Sequence, residues 1–196
     1  EKEMRLYVRN WNELIKLVND MMFDLSAMFI LYRKGVYDNS ELKELIYELT
    51  DGYVKKHPNL FEKKFIVSSE NFVSELKNNI YSKFNRVLAI EKKEMKVFPD
   101  EILRDHIETA IKSGFYLHFR RIMNENMFAV NTKISSEKRV ANWYIVRELC
   151  YGSMFRFNSK GEFNIPYGGI AYNKKNLEQK ANALFSKPVK ELLVLK

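Results

Sequence analysis

Tyr151 to Gly169 read YGSMFRFNSKGEFNIPYGG, and this stretch decides how the rest of the chain is understood. Four of the seven glycines fall within it. Apolar and polar residues alternate on both sides of Ser159-Lys160-Gly161. Phe155 and Phe157 flank Arg156 before the loop, and Phe163, Ile165 and Tyr167 are separated by Asn164 and Pro166 after it. Period two on both flanks of a short loop ending in Gly predicts a β-hairpin over 154–167, turned by a type I turn with a left-handed glycine. The loop sets the register: Asn158 faces Glu162, Phe157 faces Phe163, Arg156 faces Asn164, Phe155 faces Ile165 and Met154 faces Pro166. Rings and aliphatic groups would then lie against the body. Met154, Arg156, Asn158, Glu162, Asn164 and Pro166 would share the outer face, where Pro166, lacking an N–H, marks an edge or an end. One guanidinium, two carboxamides and two apolar groups suit the edges of bases: Arg on guanine, Asn on adenine, apolar contact on the thymine methyl. An ordinary surface hairpin would instead pair Arg156 with Glu162 or Glu148.

The run RFNSKGEFNIPYG also resembles the signature segment R-[YF]-N-x-x-G-x-F-N-x-P-[FY]-G of the Dam-type DNA adenine N6-methyltransferases. Arg156, Phe157, Asn158, Gly161, Phe163, Asn164, Pro166, Tyr167 and Gly168 fill every fixed position. The resemblance is confined to this stretch. It implies a target-recognition element entering the major groove of double-stranded DNA. Arg156 would meet a guanine, Met154 and Pro166 the neighbouring pair, and Tyr151 with its successor would wedge beside a flipped adenine. Gly152-Ser153 departs from the family, whose members often carry a larger polar residue there. The DNA-binding set implied is Tyr151, Ser153, Met154, Arg156, Asn158, Lys160, Asn164, Pro166, Lys174 and Lys175, with the lysines on phosphate. S-adenosylmethionine is implied for the parent enzyme and is expected to have no site in this chain.

Composition agrees with a folded protein and a polyanionic partner. The 196 residues are 46% apolar and 14% aromatic, enough for a sizeable core. Lys and Arg number 33 against 25 acids, for a net charge of +8. From Phe155 to the end, eight basic residues stand against three acids, so much of the excess lies in and after the hairpin. The single cysteine, Cys150, excludes an internal disulfide or a multi-cysteine zinc site and suits a reducing cytoplasm. The longest apolar run, Ala27 to Tyr32, is far too short to span a bilayer, and no membrane partner is expected.

The remainder reads as helices. Glu1 to Lys34 carries a broad apolar stripe and predicts one or two helices, closed by Gly35. Asp38-Asn39-Ser40 predicts a loop ending in an N-cap, followed by a helix over Glu41–Lys56. His57-Pro58-Asn59 is a break, and Leu60–Val67 is ambiguous. Ser68 or Ser69 caps a third helix to about Glu94, and Pro99 opens a fourth through Ile122. Asn124–Lys133 predicts a polar loop, Ser135-Ser136-Glu137 the start of a fifth helix ending near Cys150, and Asn173–Ser186 a short basic helix. The predicted fold is mainly α, a helical domain (1–131) followed by a target-recognition region (132–196) containing the hairpin.

Catalytic chemistry is missing from the sequence. There is no G-x-G and no Asp-Pro dipeptide, so neither a glycine loop for S-adenosylmethionine nor a Pro-Pro-aromatic motif for a flipped base. The three histidines lack metal-ligand spacing. The chain is therefore expected to be the helical and recognition portion of a larger adenine-specific methyltransferase, inactive alone, whose catalytic domain belongs to the same parent chain or a separate one. A stand-alone, non-enzymatic DNA-binding or anti-restriction protein and a helical protein-interaction module remain open alternatives.

Overall fold

The computed structural model describes residues 1–61, 68–127 and 134–186. Its α-helices are α1 (Lys2–Arg33), α2 (Asn39–Lys56), α3 (Ser69–Glu94), α4 (Asp100–Met127), α5 (Ser136–Leu149), α6 (Ile170–Asn173) and α7 (Leu177–Phe185). Their ends are set by side chains close at hand. Asp38, not Ser40, caps α2: its carboxylate accepts from the N–H groups of Ser40 and Glu41, and the Glu41 carboxylate accepts from the N–H of Asp38. This reciprocal pair starts the helix at Asn39. Ser68 and Ser135 cap α3 and α5. At the end of α1, Gly35 takes φ of 75°, the Gly35 N–H donates to Tyr32 O and the Val36 N–H to Leu31 O. That is a Schellman closure, and it needs the left-handed residue.

Two expected boundaries move. α4 runs through Asn124 to Met127, because side chains of its last turns are held by the loop that follows α5. The rest of the expected polar loop, 128–133, lies outside the described residues, as do most of the ambiguous Leu60–Val67 stretch and everything after Ser186. The helix predicted over Asn173–Ser186 starts later, at Leu177, where Asn176 caps α7, and a separate turn, α6, ends at Asn173.

Helix α1 is the spine. It packs against α2, α4, α5 and α7, while α3 lies along α4. Trp11, Leu14, Leu17 and Phe29 are fully buried with Phe72, Phe84, Phe115 and Phe119. Edge-to-face ring pairs join the helices, Trp11 to Phe115 at 5.4 Å, Phe72 to Phe115 at 5.8 Å and Phe29 to Phe84 at 5.0 Å. One buried cluster extends from Met4 to Ala181, so elements on both sides of residue 131 share it. At the far end of α1, Arg33 makes a two-pronged bond to the buried Glu91 of α3, whose carboxylate also accepts from the Phe98 N–H.

The predicted β-hairpin is not formed. No β-strand occurs among the described residues. Residues 154–167 are a loop with one isolated bridge, Phe157 to Phe163, and a second isolated bridge joins Cys150 to Tyr167. The turn itself is as the spacing predicts. The Gly161 N–H donates to Asn158 O, and Gly161 is left-handed at φ of 77°. Beside the bridge, the Asn158 N–H donates to Glu162 O and the Asn164 N–H to Arg156 O. The next rung would pair Met154 with Pro166. Pro166 has no N–H to give, its carbonyl accepts from the Tyr151 N–H, and the Met154 N–H turns back to Tyr151 O. The ladder stops there. The inward placement of rings also needs correcting: Phe163 and Ile165 are buried, but Phe155 and Phe157 are 54% and 46% exposed.

Two outcomes follow for stability. Gly114 sits mid-helix where α4 crosses α3, and a Cβ there would stand 3.0 Å from the Cα of Leu76. Alanine should gain about 1 kcal/mol of helix propensity but lose about 1–3 kcal/mol by forcing two backbones apart. Gly114→Ala is expected to lower the melting temperature, and a rise would show that the helices can separate at no cost. His118 is fully buried. Arg121 can only donate, so the Arg121 contact at 3.2 Å makes His118 Nδ1 an acceptor, and the proton of the neutral ring sits on the unpartnered Nε2. Burial, with Arg121 adding to it, pushes this histidine down from 6.5 to about 3. Below pH 6.5 the unfolded chain takes up a proton that the folded chain refuses. Stability contributed above that pH is thus lost on acidification, by about 1.4 kcal/mol per pH unit from this one group. His118→Leu should flatten the dependence of denaturation midpoint on pH between 6.5 and 4; parallel curves for the two proteins would exclude His118 as its source.

Candidate nucleic-acid interface

The loop 154–167 has one limb bonded to helix α4 and one exposed limb that rests on α5 through Phe155. Tyr116, Arg120 and Asn124 lie four residues apart and so share one face of α4. Asn124 exchanges two bonds with Phe163, donating through Nδ2 to Phe163 O at 3.1 Å and accepting from the Phe163 N–H at 2.9 Å. The Tyr116 hydroxyl and Arg120 Nη1 both donate to Ile165 O, at 2.6 and 3.0 Å. One residue pair further on, the buried Tyr167 hydroxyl donates to Asn173 Oδ1 at 3.2 Å. Asn173 in turn donates to Asp105 O and Thr109 Oγ1, and its carbonyl accepts from the buried Lys112 ammonium, which also meets Glu108. Residues 163–173 are therefore bonded to α4 along most of its length.

The other limb, Met154 to Phe157, is exposed at every residue. Arg156 projects outward, and Asn164 Oδ1 accepts from its Nε at 3.0 Å. Neither Glu162 nor Glu148 pairs with it: Glu162 accepts from Asn158 Nδ2, and Glu148 accepts from Lys175. Among the described residues no carboxylate lies within 4.0 Å of the Arg156 guanidinium, so its terminal amino groups face solvent. Met154 is 47% exposed, and Pro166 is exposed beside the same pair. Phe155 stacks on Trp143 of α5 at 5.8 Å, and Arg147 covers Trp143.

The remaining residues singled out in the sequence divide in two. Tyr151, Ser153, Lys160 and Lys174 are exposed. Asn158 is occupied by the turn: its Oδ1 accepts from the N–H groups of Lys160 and Glu162. Lys175 turns inward, donating to Glu148 O and lying 4.0 Å from the Tyr172 ring centroid, and burial lowers its pKa. Tyr151–Ser153 form a 3-10 turn in which Gly152 and Ser153 are both left-handed, φ of 63° and 49°. The Gly152 N–H donates to the Tyr172 hydroxyl at 2.9 Å, and the Tyr172 ring lies where a Cβ of Gly168 would be. Cys150 is fully buried under this turn, its thiol donating to Arg147 O at 3.2 Å, with burial raising its pKa.

Sequence reasoning missed Tyr116, Arg120 and Asn124. Asn124 falls in the stretch whose composition predicts a polar loop. The available signal was three hydrogen-bonding side chains at a spacing of four, on one face of a single helix.

Among the described residues no three His, Cys, Asp or Glu side chains converge as metal ligands, and no helix is long and apolar enough to cross a membrane.

No protein-family model matches the chain, and no solved structure matches it. Over 130 residues, 62% of the chain, it is 30% identical to the type II methyltransferase M.MjaIII of Methanocaldococcus jannaschii. That match spans 43% of the relative's length. The chain is thus similar in sequence to part of a type II methyltransferase, and its relationship lies with methyltransferases.

Proposed function

We propose that this chain is the helical and target-recognition portion of an adenine-N6 DNA methyltransferase, with residues 1–131 as body and the loop region of 132–196 as the surface that meets double-stranded DNA. The state of Arg156 carries this reading. An exposed guanidinium held at Nε by Asn164, and paired to no carboxylate among the described residues, leaves two amino groups for the O6 and N7 of a guanine. Such a contact discriminates by about 1–3 kcal/mol. Met154 and Pro166 supply the apolar contact for a thymine methyl, and the target taken as the one to test first is GATC-like.

Lys160 and Lys174 meet phosphate and set position without reading sequence. Lys175, turned inward, serves the surface by tying the connection between α6 and α7 to α5. Tyr151, with Ser153 beside it, stands on the exposed 3-10 turn from which a ring can enter the duplex as the adenine rotates out. The pocket that receives the adenine, and the S-adenosylmethionine that supplies its methyl group, belong to a catalytic domain in the same parent chain or a separate one. The similarity to a type II methyltransferase supports this assignment over a helical protein-interaction module.

Selection from a random duplex library followed by gel-shift measurement tests the reading. Arg156→Ala should erase preference at a single base pair and leave binding to unrelated duplexes intact. Lys174→Ala should weaken all duplexes alike and reduce the slope of log affinity against log salt by about 1. Equal losses on every duplex for Arg156→Ala would remove the readout role, and no binding to any duplex would remove DNA as the partner.

A further inference from the structure

We infer that Asn124, on helix α4, is a positioning residue that sets sequence specificity by standing in for a missing β-strand behind Phe163. The inference rests on the DNA-reading role proposed for Arg156 and extends it to a residue that touches no base.

The backbone geometry supplies the argument. The bonds beside the Phe157–Phe163 bridge run from Asn158 N–H to Glu162 O and from Asn164 N–H to Arg156 O, so the N–H and C=O of Phe163 point away from the opposite limb. In a sheet a third strand would take both groups. Here one carboxamide takes both, with its oxygen accepting at 2.9 Å and its nitrogen donating at 3.1 Å. Only a side chain holding donor and acceptor a peptide's width apart can do this, which restricts the position to Asn or Gln. Tyr116 and Arg120 fix the next outward-facing carbonyl, that of Ile165. Asn164 lies between the two clamped residues, and Asn164 holds Arg156.

The chain of restraint is therefore α4, then Phe163 and Ile165, then Asn164, then the guanidinium. No ladder backs the loop on its own, since Pro166 ends it. Without the α4 clamp the Arg156–Asn164 pair would have to be ordered by DNA at the moment of binding. That ordering cost would fall on the specific complex, whereas phosphate contacts through Lys160 and Lys174 do not use the pair.

The test uses the whole chain with the duplex selected from a random library and a duplex of scrambled sequence. Asn124→Ala should lower the ratio of specific to non-specific affinity by roughly 10-fold, the loss expected from a misplaced bidentate contact. Affinity for the scrambled duplex and its salt dependence should not change. Hydrogen exchange at the Phe163 amide should accelerate in the free protein. In the Arg156→Ala background, Asn124→Ala should produce no further loss of specificity. Asn124→Asp keeps the acceptor for the Phe163 N–H and should fall between wild type and alanine. An unchanged specificity ratio, or losses that add in the double variant, would overturn the inference while leaving the Arg156 reading untouched. If Asn124→Ala does not fold, Tyr116→Phe, which removes only the hydroxyl bonded to Ile165 O, is judged by the same two outcomes. A wild-type chain that selects no sequence would instead sink the underlying reading, and a scrambled-duplex control that falls with the specific one would assign Asn124 to stability alone.

Discussion

A carboxamide on a helix that gives and receives a hydrogen bond with the backbone of a loop is the constraint on which the outer surface depends. Asn124 and Phe163 are joined by it, with Tyr116 and Arg120 repeating the theme on Ile165. Buried backbone groups must be paired. In this molecule the pairing for residues 163–165 comes from α4 rather than from a neighbouring strand. One limb of the loop is consequently bonded to α4, and the other leaves all four residues from Met154 to Phe157 exposed, with Phe155 stacked on Trp143 of α5.

That asymmetry explains how a small loop can present a charged group without neutralising it. The two acids that the sequence offers as partners for Arg156 are committed elsewhere: Glu162 closes the turn with Asn158, and Glu148 answers Lys175. The turn needs Asn158 and a left-handed Gly161, the junction with α5 needs Gly152 and a bare Gly168 under the Tyr172 ring, and the core needs Phe163, Ile165 and Tyr167. Most conspicuous residues of the stretch thus have structural duties. Arg156, Met154 and Pro166 remain exposed, with Asn164 holding the Arg156 guanidinium.

Much of the helical architecture could be read from the sequence because it is written in local chemistry. Apolar spacing in α1, the Ser68 and Ser135 caps and the glycine after Lys34 each act within one or two turns. The turn at Asn158–Gly161 and the Phe157–Phe163 register were legible for the same reason. What escaped was decided by partners distant in the chain. Alternation of apolar residues over 155–167 says which side chains share a face, but not where the backbone N–H and C=O groups find partners. Those partners lie 39 to 49 residues away on α4. Hence a bridged loop replaced the expected hairpin, Phe155 and Phe157 stayed in solvent, and Asn124 was taken for a loop residue. Lys175 was similarly misjudged: a lysine in a basic run looks solvated until a carbonyl and an aromatic ring fold over it.

The solitary cysteine has a consequence of its own. Cys150 sits at the hinge where α5 gives way to the 3-10 turn, completely covered, with its proton held toward Arg147 O and its acidity suppressed by burial. A thiol in that condition is inert to alkylating reagents while the junction is shut. Its labelling kinetics are therefore a native stopwatch for the opening of this joint. Because the chain holds no second thiol, any signal from a maleimide or disulfide reagent originates at that one place. The molecule carries its own probe for whether gripping a ligand at the loop slows or hastens the breathing of the helix behind it.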